Sequence, residues 1–363
     1  MKKIVFIILA FILVNNYAQS QGCVAIRSTG GFCTGDQAVN NNPEKWSLTV
    51  SNRYFKSFRH FVGTAEQKER GEKHTEVINH SYTLDLALAR NLGKGWSILL
   101  DVPIISNVRS SLYEHGGNSG GENARRNTSS FGLGDVRIVA YKWLFDQTKS
   151  LKGNVQVGLG IKLPTGDYRY QDYFYKNDTT KVLGPVDQSI QLGDGGTGFS
   201  TEINAFYNFS RTIGVYGNIY YLFNPREQNG VSTARGGTPS STAIRYGTDV
   251  MSVPDQYMLR GGVSINVDKL SFLAGIRDEC QPAKDLLGKS GGFRRPGYII
   301  SAEPGVTYQF KKATAYAFVP FALQRNRTQS NGDKIRTQVT GVYAQGDAAF
   351  ADYLVNVGMT FRF

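Results

Sequence analysis

The last eleven residues, Tyr353 to Phe363, constrain this chain more than any other stretch. Tyr353, Val355, Val357, Met359, Phe361 and Phe363 alternate with Leu354, Asn356, Gly358, Thr360 and Arg362. Period two describes a strand with one apolar face and one mainly polar face. The apolar face must be covered, either by a protein core or by lipid. A sandwich in water and a barrel in a membrane both satisfy that demand, so the rest of the chain has to decide.

The other terminus narrows the choice. Met1-Lys2-Lys3 is basic, Ile4 to Val14 is almost wholly apolar, and Tyr17-Ala18-Gln19-Ser20 follows. This is a signal-peptide pattern, with cleavage expected after Ser20. The apolar run is too short for a spanning helix, which needs about twenty residues. No later stretch is longer, so the sequence predicts no transmembrane helix. Any insertion into a membrane must then be as a closed barrel, because only helices and closed barrels satisfy every backbone group in lipid.

Composition agrees with strands, tight turns and aromatic belts: 41 glycines, 20 tyrosines and 21 phenylalanines. The net charge of +12 fits attraction to anionic lipopolysaccharide or anionic solutes, and equally a solubility margin. Basic runs such as Arg125-Arg126 and Arg294-Arg295 lack the folds that read nucleic acid, and export excludes that partner. Cys23 and Cys33 bracket a Gly-rich segment, and in an oxidising compartment two such cysteines are expected to pair. Cys280 is then odd: a free thiol, an intermolecular link, or a partner for either of the others. No leucine stands where a lipidation motif at Cys23 would need one, no spacing resembles a metal site, and nothing points to a cofactor.

Along the chain, alternating segments recur with a long-short rhythm of connections. Trp46–Phe61, Glu76–Asn91 and a segment from Trp96 come first. Phe131–Phe145, Leu151–Thr165, Gln191–Phe209 and Thr212–Phe223 follow. Gln256–Val267, Leu270–Arg277, Gly297–Phe310, Ala313–Asn326 and Phe350–Phe363 complete twelve strands. Short turns such as Ser210-Arg211, Asp268-Lys269 and Lys311-Lys312 alternate with long polar loops such as Ser110–Ser130, Gly166–Ser189 and Asn224–Pro254. An even strand count with short turns on one side and long loops on the other is the outer-membrane pattern. The predicted fold is therefore all-β: a transmembrane, antiparallel, up-and-down barrel of about twelve strands, with short periplasmic turns and long extracellular loops. The domain reading is 1–20 signal peptide, 21–45 an N-terminal disulfide-tied segment and possible plug, and 46–363 the barrel.

Two resemblances sharpen this. An exported chain ending in an amphipathic strand with a C-terminal Phe resembles the closing strand of outer-membrane barrels. That resemblance implies that Phe361 and Phe363 are the assembly signal, read by the barrel-assembly machinery. Next, Phe131-Gly132-Leu133-Gly134-Asp135 through Lys142, Gly158 to Asp167 with its Lys162-Leu163-Pro164-Thr165-Gly166 run, and Gln191-Leu192-Gly193-Asp194 through Phe199 are similar, in order and spacing, to the barrels labelled "putative MetA-pathway of phenol degradation". Those are relatives of the FadL-like transporters of hydrophobic compounds. The resemblance covers roughly residues 130 to 210 and implies an outer-membrane uptake channel. The Cys23–Cys33 segment and the lack of a FadL-type hatch depart from it.

Facing follows from cost. A charge on the lipid face near mid-bilayer costs about 2–4 kcal/mol. Asp85, Asp101, Asp135, Arg137, Lys162, Glu202, Arg260 and Glu303 are therefore expected to line the lumen, with Arg53 and Arg362. They either select a permeating solute or pair across a narrow barrel and fill it. Lys142 is expected at the periplasmic end, where it snorkels. Gly288-Lys289-Ser290 is not a P-loop, because Ala283 stands where that motif needs glycine. The four histidines, His60, His74, His80 and His115, lie at strand ends or in loops without a catalytic partner at strand spacing, so no enzyme is predicted. The expected function is passive uptake of a small, hydrophobic or amphipathic solute. The alternative is an adhesin or structural barrel whose long loops bind a partner, and a hydrolase ranks below both.

Overall fold

Each alternating segment forms a strand, and the strands close on themselves. The computed structural model describes residues 45–113, 121–150 and 152–363. Among these, a 12-strand antiparallel barrel is closed. Its strands are β1 (Trp46–Val62), β2 (Ile78–Gly93), β3 (Trp96–Leu112), β4 (Arg125–Leu133 and Arg137–Trp143), β5 (Gly153–Lys162) and β6 (Gly198–Asn208). Then come β7 (Ile213–Phe223), β8 (Gln256–Val267), β9 (Leu270–Gln281), β10 (Gly297–Gln309), β11 (Ala313–Phe318 and Phe321–Arg327) and β12 (Ala348–Arg362). Closure is made by β12 against β1, with Ser47 opposite Arg362 and Phe61 opposite Ala348. Trp46 and Phe363 exchange two backbone hydrogen bonds of 3.0 Å at the seam. No helix among the described residues is long and apolar enough to cross a membrane. The expected signal peptide, the Cys23–Cys33 pair and the possible plug lie outside the described residues.

The barrel is inside out relative to a soluble one. Along β6, Phe199 and Ile203 are 51% and 41% exposed, while Glu202 and Asn204 between and beside them are 1% exposed. The same inversion holds on β5, where Leu159 is exposed and Lys162 buried, and on β8, where Leu259 and Val263 are exposed and Ser264 is buried. A wall that turns leucine, isoleucine and phenylalanine outward is matched to lipid. Aromatic pairs mark both rims. Tyr207–Phe209 and Tyr308–Phe310, with centroids 5.3 and 4.7 Å apart, sit at the short-turn end. Tyr221, Phe223 and Tyr257 cluster toward the long-loop end. Lys142 does sit at the short-turn end, donating to the Lys94 carbonyl with its ammonium over the Trp96 ring.

Several boundaries move, for identifiable reasons. Arg125–Ser130, expected in a loop, continues β4 by pairing with β3 up to Arg125 opposite Leu112. β9 runs four residues past Arg277, to Gln281, opposite β10. Gln191–Thr197, expected in a strand, leaves the wall because its backbone is held by groups inside the barrel. β11 is interrupted at Val319-Pro320, where proline cannot donate to the ladder. The loop after β11 contains a helix, Asn331–Thr340, with a Ser330–Asp333 capping box and Gly341 in the left-handed conformation after it.

Candidate functional site

The lumen has three layers. At the short-turn end Trp143, Phe206, Tyr216, Leu273, Tyr316 and Phe318 pack together inside the barrel. Trp143 meets Phe206 edge-on at 6.1 Å. Facing glycines make room for this layer: a Cβ on Gly305 would lie 2.3 Å from the Phe318 ring, and one on Gly358 2.4 Å from the Tyr316 hydroxyl.

Above it lies a layer of paired charges. Arg137 donates to Asp101, with Nη2 2.6 Å from Oδ2. Tyr141 donates to Glu202 at 2.7 Å, and Asn218 donates to the other Glu202 oxygen at 3.0 Å. Glu303 binds Arg260 at 2.6 Å and Arg277 at 3.1 Å, and Arg277 also holds Glu279 at 2.8 Å. Arg260 in turn stacks over the Tyr216 and Phe318 rings below. Asp85, on β2, belongs to the same layer as Arg53, which lies diagonally across the β1–β2 pair. Pairing and hydrogen bonding of this kind offset the cost of burying charge in low dielectric. Gly158, on the lumen face of β5, abuts the Tyr141 ring, where a Cβ would come within 2.5 Å.

The third layer is a chamber of about 160 Å³ in the long-loop half. Its walls come from β1 to β5, β7, β8 and β9, and its roof comes from the long loops. The roof is a strap, Asp187 to Asp194, that folds inward from the loop between β5 and β6. Both ends of the strap are fixed by buried carboxylates. At one end Asp187 accepts from Arg295 at 2.8 and 2.7 Å, from Arg235, and lies 3.7 Å from Arg109. Burial opposes its charge, but Arg109, Arg295 and Arg235 outweigh it and hold the carboxyl well below the usual range. At the other end the Asp194 carboxylate binds the Lys162 ammonium, which also lies 3.6 Å from Asp135. In the middle, Asn107 and Ser130 both donate to the Ile190 carbonyl.

Asp135 ties this to the wall. It sits between the two halves of β4 and accepts from the backbone N–H of Gly166 at 3.0 Å and of Asp194 at 3.2 Å. The three segments singled out by resemblance thus meet at one carboxylate. Their glycines permit the approach: a Cβ on Gly193 would stand 2.4 Å from the Asp135 oxygen, and one on Gly166 2.6 Å from the Leu192 carbonyl. Leu192 is buried beside the interruption, with its Cδ1 3.0 Å from where a Cβ on Gly132 would be. Above the interruption, Arg125–Leu133 pairs with β3 alone, while β5 pairs with β4 only from Arg137 onward. The loop between β5 and β6 covers that gap, with Asp172 accepting from the Ser129 N–H at 2.7 Å.

Of the eight residues expected in the lumen, Asp101, Asp135, Arg137, Lys162, Glu202 and Glu303 are buried, and Asp85 and Arg260 are half-buried. They are grouped in pairs rather than lining an open pore. Arg137, Lys162 and Asp135 reach the chamber, and the others lie in the layer beneath. Sequence reasoning missed Asp187, Asp194, Arg295 and Leu192, which lie in segments read as loop or strand. The Asp194-Gly195-Gly196 run was the available signal, since a carboxylate among glycines marks close backbone approach. Phe361 is exposed at the short-turn end beside the seam, and Phe363 caps it. Cys280 is buried on β9. No group of His, Cys, Asp or Glu among the described residues has the arrangement of a metal site.

No family model and no curated protein matches the chain. The resemblance to the MetA-pathway barrels therefore rests on its three segments alone. Among solved structures, an outer membrane channel from Pseudomonas putida F1 superposes with a TM-score of 0.56 at 10% identity, over 88% of this chain and 96% of that one. This is an outer-membrane barrel fold. A FadL homologue of Pseudomonas aeruginosa gives 0.43 at 9% identity, over 96% of this chain and 99% of that one. The Pseudomonas putida toluene transporter TodX gives 0.42 at 8% identity, over 90% and 92%.

Proposed function

We propose that the protein is an outer-membrane channel for passive uptake of small, hydrophobic or amphipathic molecules. The observation that carries this reading is the roofed chamber beside an interrupted stretch of wall. A chamber of about 160 Å³ is the size of a cavity known to admit benzene, about 150 Å³. Phe55, Ile105, Leu192 and Leu222 give it apolar surface, and Gln188, Gln256 and Gln281 give it uncharged polar groups. The aromatic layer obstructs the direct path toward the short-turn end. The interruption of β4, stoppered by Leu192, is the alternative path, sideways into the membrane. Such a channel needs no cofactor and no enzyme chemistry. Its partners are the solute, surrounding lipid and lipopolysaccharide, and the barrel-assembly machinery after export by the N-terminal signal. The long-loop end then faces outside, and both termini face the periplasm.

Uptake of benzyl alcohol by cells with and without the protein tests this. Leu192→Ala, which widens the side path, should speed uptake, and Leu192→Trp should slow it, with both barrels still heat-modifiable on gels. Uptake that ignores the protein and both variants would sink the channel reading and favour the adhesin, whose strapped, charge-locked loops are its one structural support.

A further inference from the structure

One turn on the outer rim carries apolar side chains that the barrel itself does not use. Leu286 and Leu287, in the loop between β9 and β10, are 68% and 50% exposed. Lys284 and Lys289 flank them and are exposed as well. We infer that this turn is a docking site for the phosphorylated glycolipid of the outer leaflet, with the leucines among its acyl chains and the lysines on the lipid A phosphates. The inference rests on the outward orientation of the long loops given above, and not on the solute carried.

The turn is held at the lipid face. On β7, Tyr220 points inward, where Arg137 donates to its hydroxyl at 3.3 Å, so the next residue, Tyr221, points outward. There Tyr221 meets Phe223 and Tyr257 in the upper aromatic belt, with centroids 4.4 and 6.1 Å away. The Tyr221 hydroxyl and the Leu286 N–H donate to the same oxygen of Asp255, each at 2.8 Å. A single carboxylate oxygen therefore links Leu286 to a tyrosine of the belt. The turn is also braced from behind. Asp285 accepts two hydrogen bonds of 2.7 Å from Arg294, and both side chains are 0% exposed. Gly288, at φ +82°, lies against Pro225, whose carbonyl oxygen would stand 2.5 Å from a Cβ there. This scaffold fixes the backbone that presents the leucines.

Charge selects the occupant. The acids of the turn are engaged and its lysines are exposed. Asp285 is bound to Arg294, Asp255 also accepts from the Asn224 N–H at 2.7 Å, and Glu227 accepts from the Gly291 N–H at 3.0 Å. Leucines between lysines match a lipid with acyl chains below phosphates: apolar burial supplies affinity, and the ammonium groups supply preference for the phosphates. A soluble anion would leave the leucines in water. A second copy meeting through this turn would bring like charges together.

The test mixes the purified protein in detergent micelles with bisphosphorylated lipid A and counts bound lipid by native mass spectrometry. The wild-type protein should hold lipid A more tightly than dephosphorylated lipid A or phosphatidylglycerol. Lys284→Gln/Lys289→Gln should weaken lipid A binding about tenfold or more and erase the preference for phosphates. Leu286→Ser/Leu287→Ser should weaken lipid A and its dephosphorylated form alike. All four side chains are exposed, so both barrels should stay heat-modifiable on gels. Lys176→Gln/Lys181→Gln, exposed on the loop between β5 and β6, is the control and should change nothing. Wild-type binding that ignores the phosphates, phosphatidylglycerol bound as tightly as lipid A, unchanged binding in both test variants, or an equal loss in the control overturns the inference. A barrel that binds lipid A as expected but carries no benzyl alcohol leaves the docking site standing and removes the channel reading. A barrel that carries the alcohol but does not bind lipid A does the reverse.

Discussion

Removing the Glu303 carboxylate should destabilise the barrel more than any lipid-facing change of the same size. Glu303 is 1% exposed and serves two arginines, Arg260 at 2.6 Å and Arg277 at 3.1 Å. Arg277 keeps Glu279, but Arg260 loses the Glu303 carboxylate while it stays stacked inside the barrel over Tyr216 and Phe318. Deleting one partner of a buried pair costs about 3–5 kcal/mol, because the remaining charge has been taken out of water without compensation. Glu303→Ala should therefore lower the unfolding free energy by about that amount. Glu303→Gln keeps one neutral acceptor and should cost less, about 1.5–3 kcal/mol. Glu303→Leu combined with Arg260→Met removes both charges and should recover to within about 1 kcal/mol of wild type, since apolar replacement of a whole buried pair is close to neutral. The assay is urea unfolding of the barrel refolded into lipid vesicles, followed by tryptophan fluorescence, with the midpoint shift read at constant slope. A Glu303→Ala barrel within about 1 kcal/mol of wild type would show that water already screens this layer. The lumen would then be wetter than the packed charges indicate.

Three further outcomes are expected. Gly193→Ala places a Cβ 2.4 Å from the Asp135 carboxylate and should cost about 1–3 kcal/mol in the same unfolding assay, whereas Gly71→Ala, with nothing within 4 Å, should not. For Asp347, burial opposes ionisation, but the hydrogen bond from His60 and the charge of Arg70 hold its carboxyl down at about 2, against an ordinary 3.8. A depressed value stabilises above the unfolded pKa and is lost as pH falls through the folded one, so pepsin should spare the loop between β11 and β12 at pH near 4 and cut it near 2, with Asp347→Asn cut at both. Deleting Phe363 removes the two backbone hydrogen bonds with Trp46 at the seam and should impair insertion into the outer membrane; a truncated protein that assembles normally and stays heat-modifiable would refute the assembly-signal reading.

The strands were legible because lipid and lumen impose opposite demands on alternate residues. Phe199, Thr201 and Ile203 against Ser200, Glu202 and Asn204 can face only one way, and the same constraint repeats around the ring. What alternation does not encode is which inward charges meet. Arg137 and Asp101 lie opposite each other on neighbouring strands, which register alone could have paired. Asp187 and Arg295 lie 108 positions apart on different loops, and nothing local links them. The helix Asn331–Thr340 was missed because a long polar loop hid its capping signal: Ser330 followed three residues later by Asp333, then Gly341. Gln191–Thr197 misled in the opposite sense. Its first residues continue the alternation that leads into β6, but Asp135 and Lys162 draw them off the wall.

The interruption in the wall and the strap that closes it have a single cause. Asp101 stands opposite Arg137 and Ile104 opposite Leu133, so two residues of β3, Val102 and Pro103, face three of β4, Gly134 to Val136. That extra residue is a bulge, which bends a strand and re-aims a side chain. Pro103 cannot donate here, but its carbonyl still accepts from the Gly134 N–H at 2.9 Å, which holds the bulge in register. The side chain re-aimed inward is Asp135, and it gathers the Gly166 and Asp194 amides and the Lys162 ammonium. The same event therefore separates upper β4 from β5, draws the strap over the gap, and seats Leu192 against it. The carboxylate at the centre of the bulge thus ties wall, strap and Lys162 into one unit, so that displacing any one of them disturbs the other two.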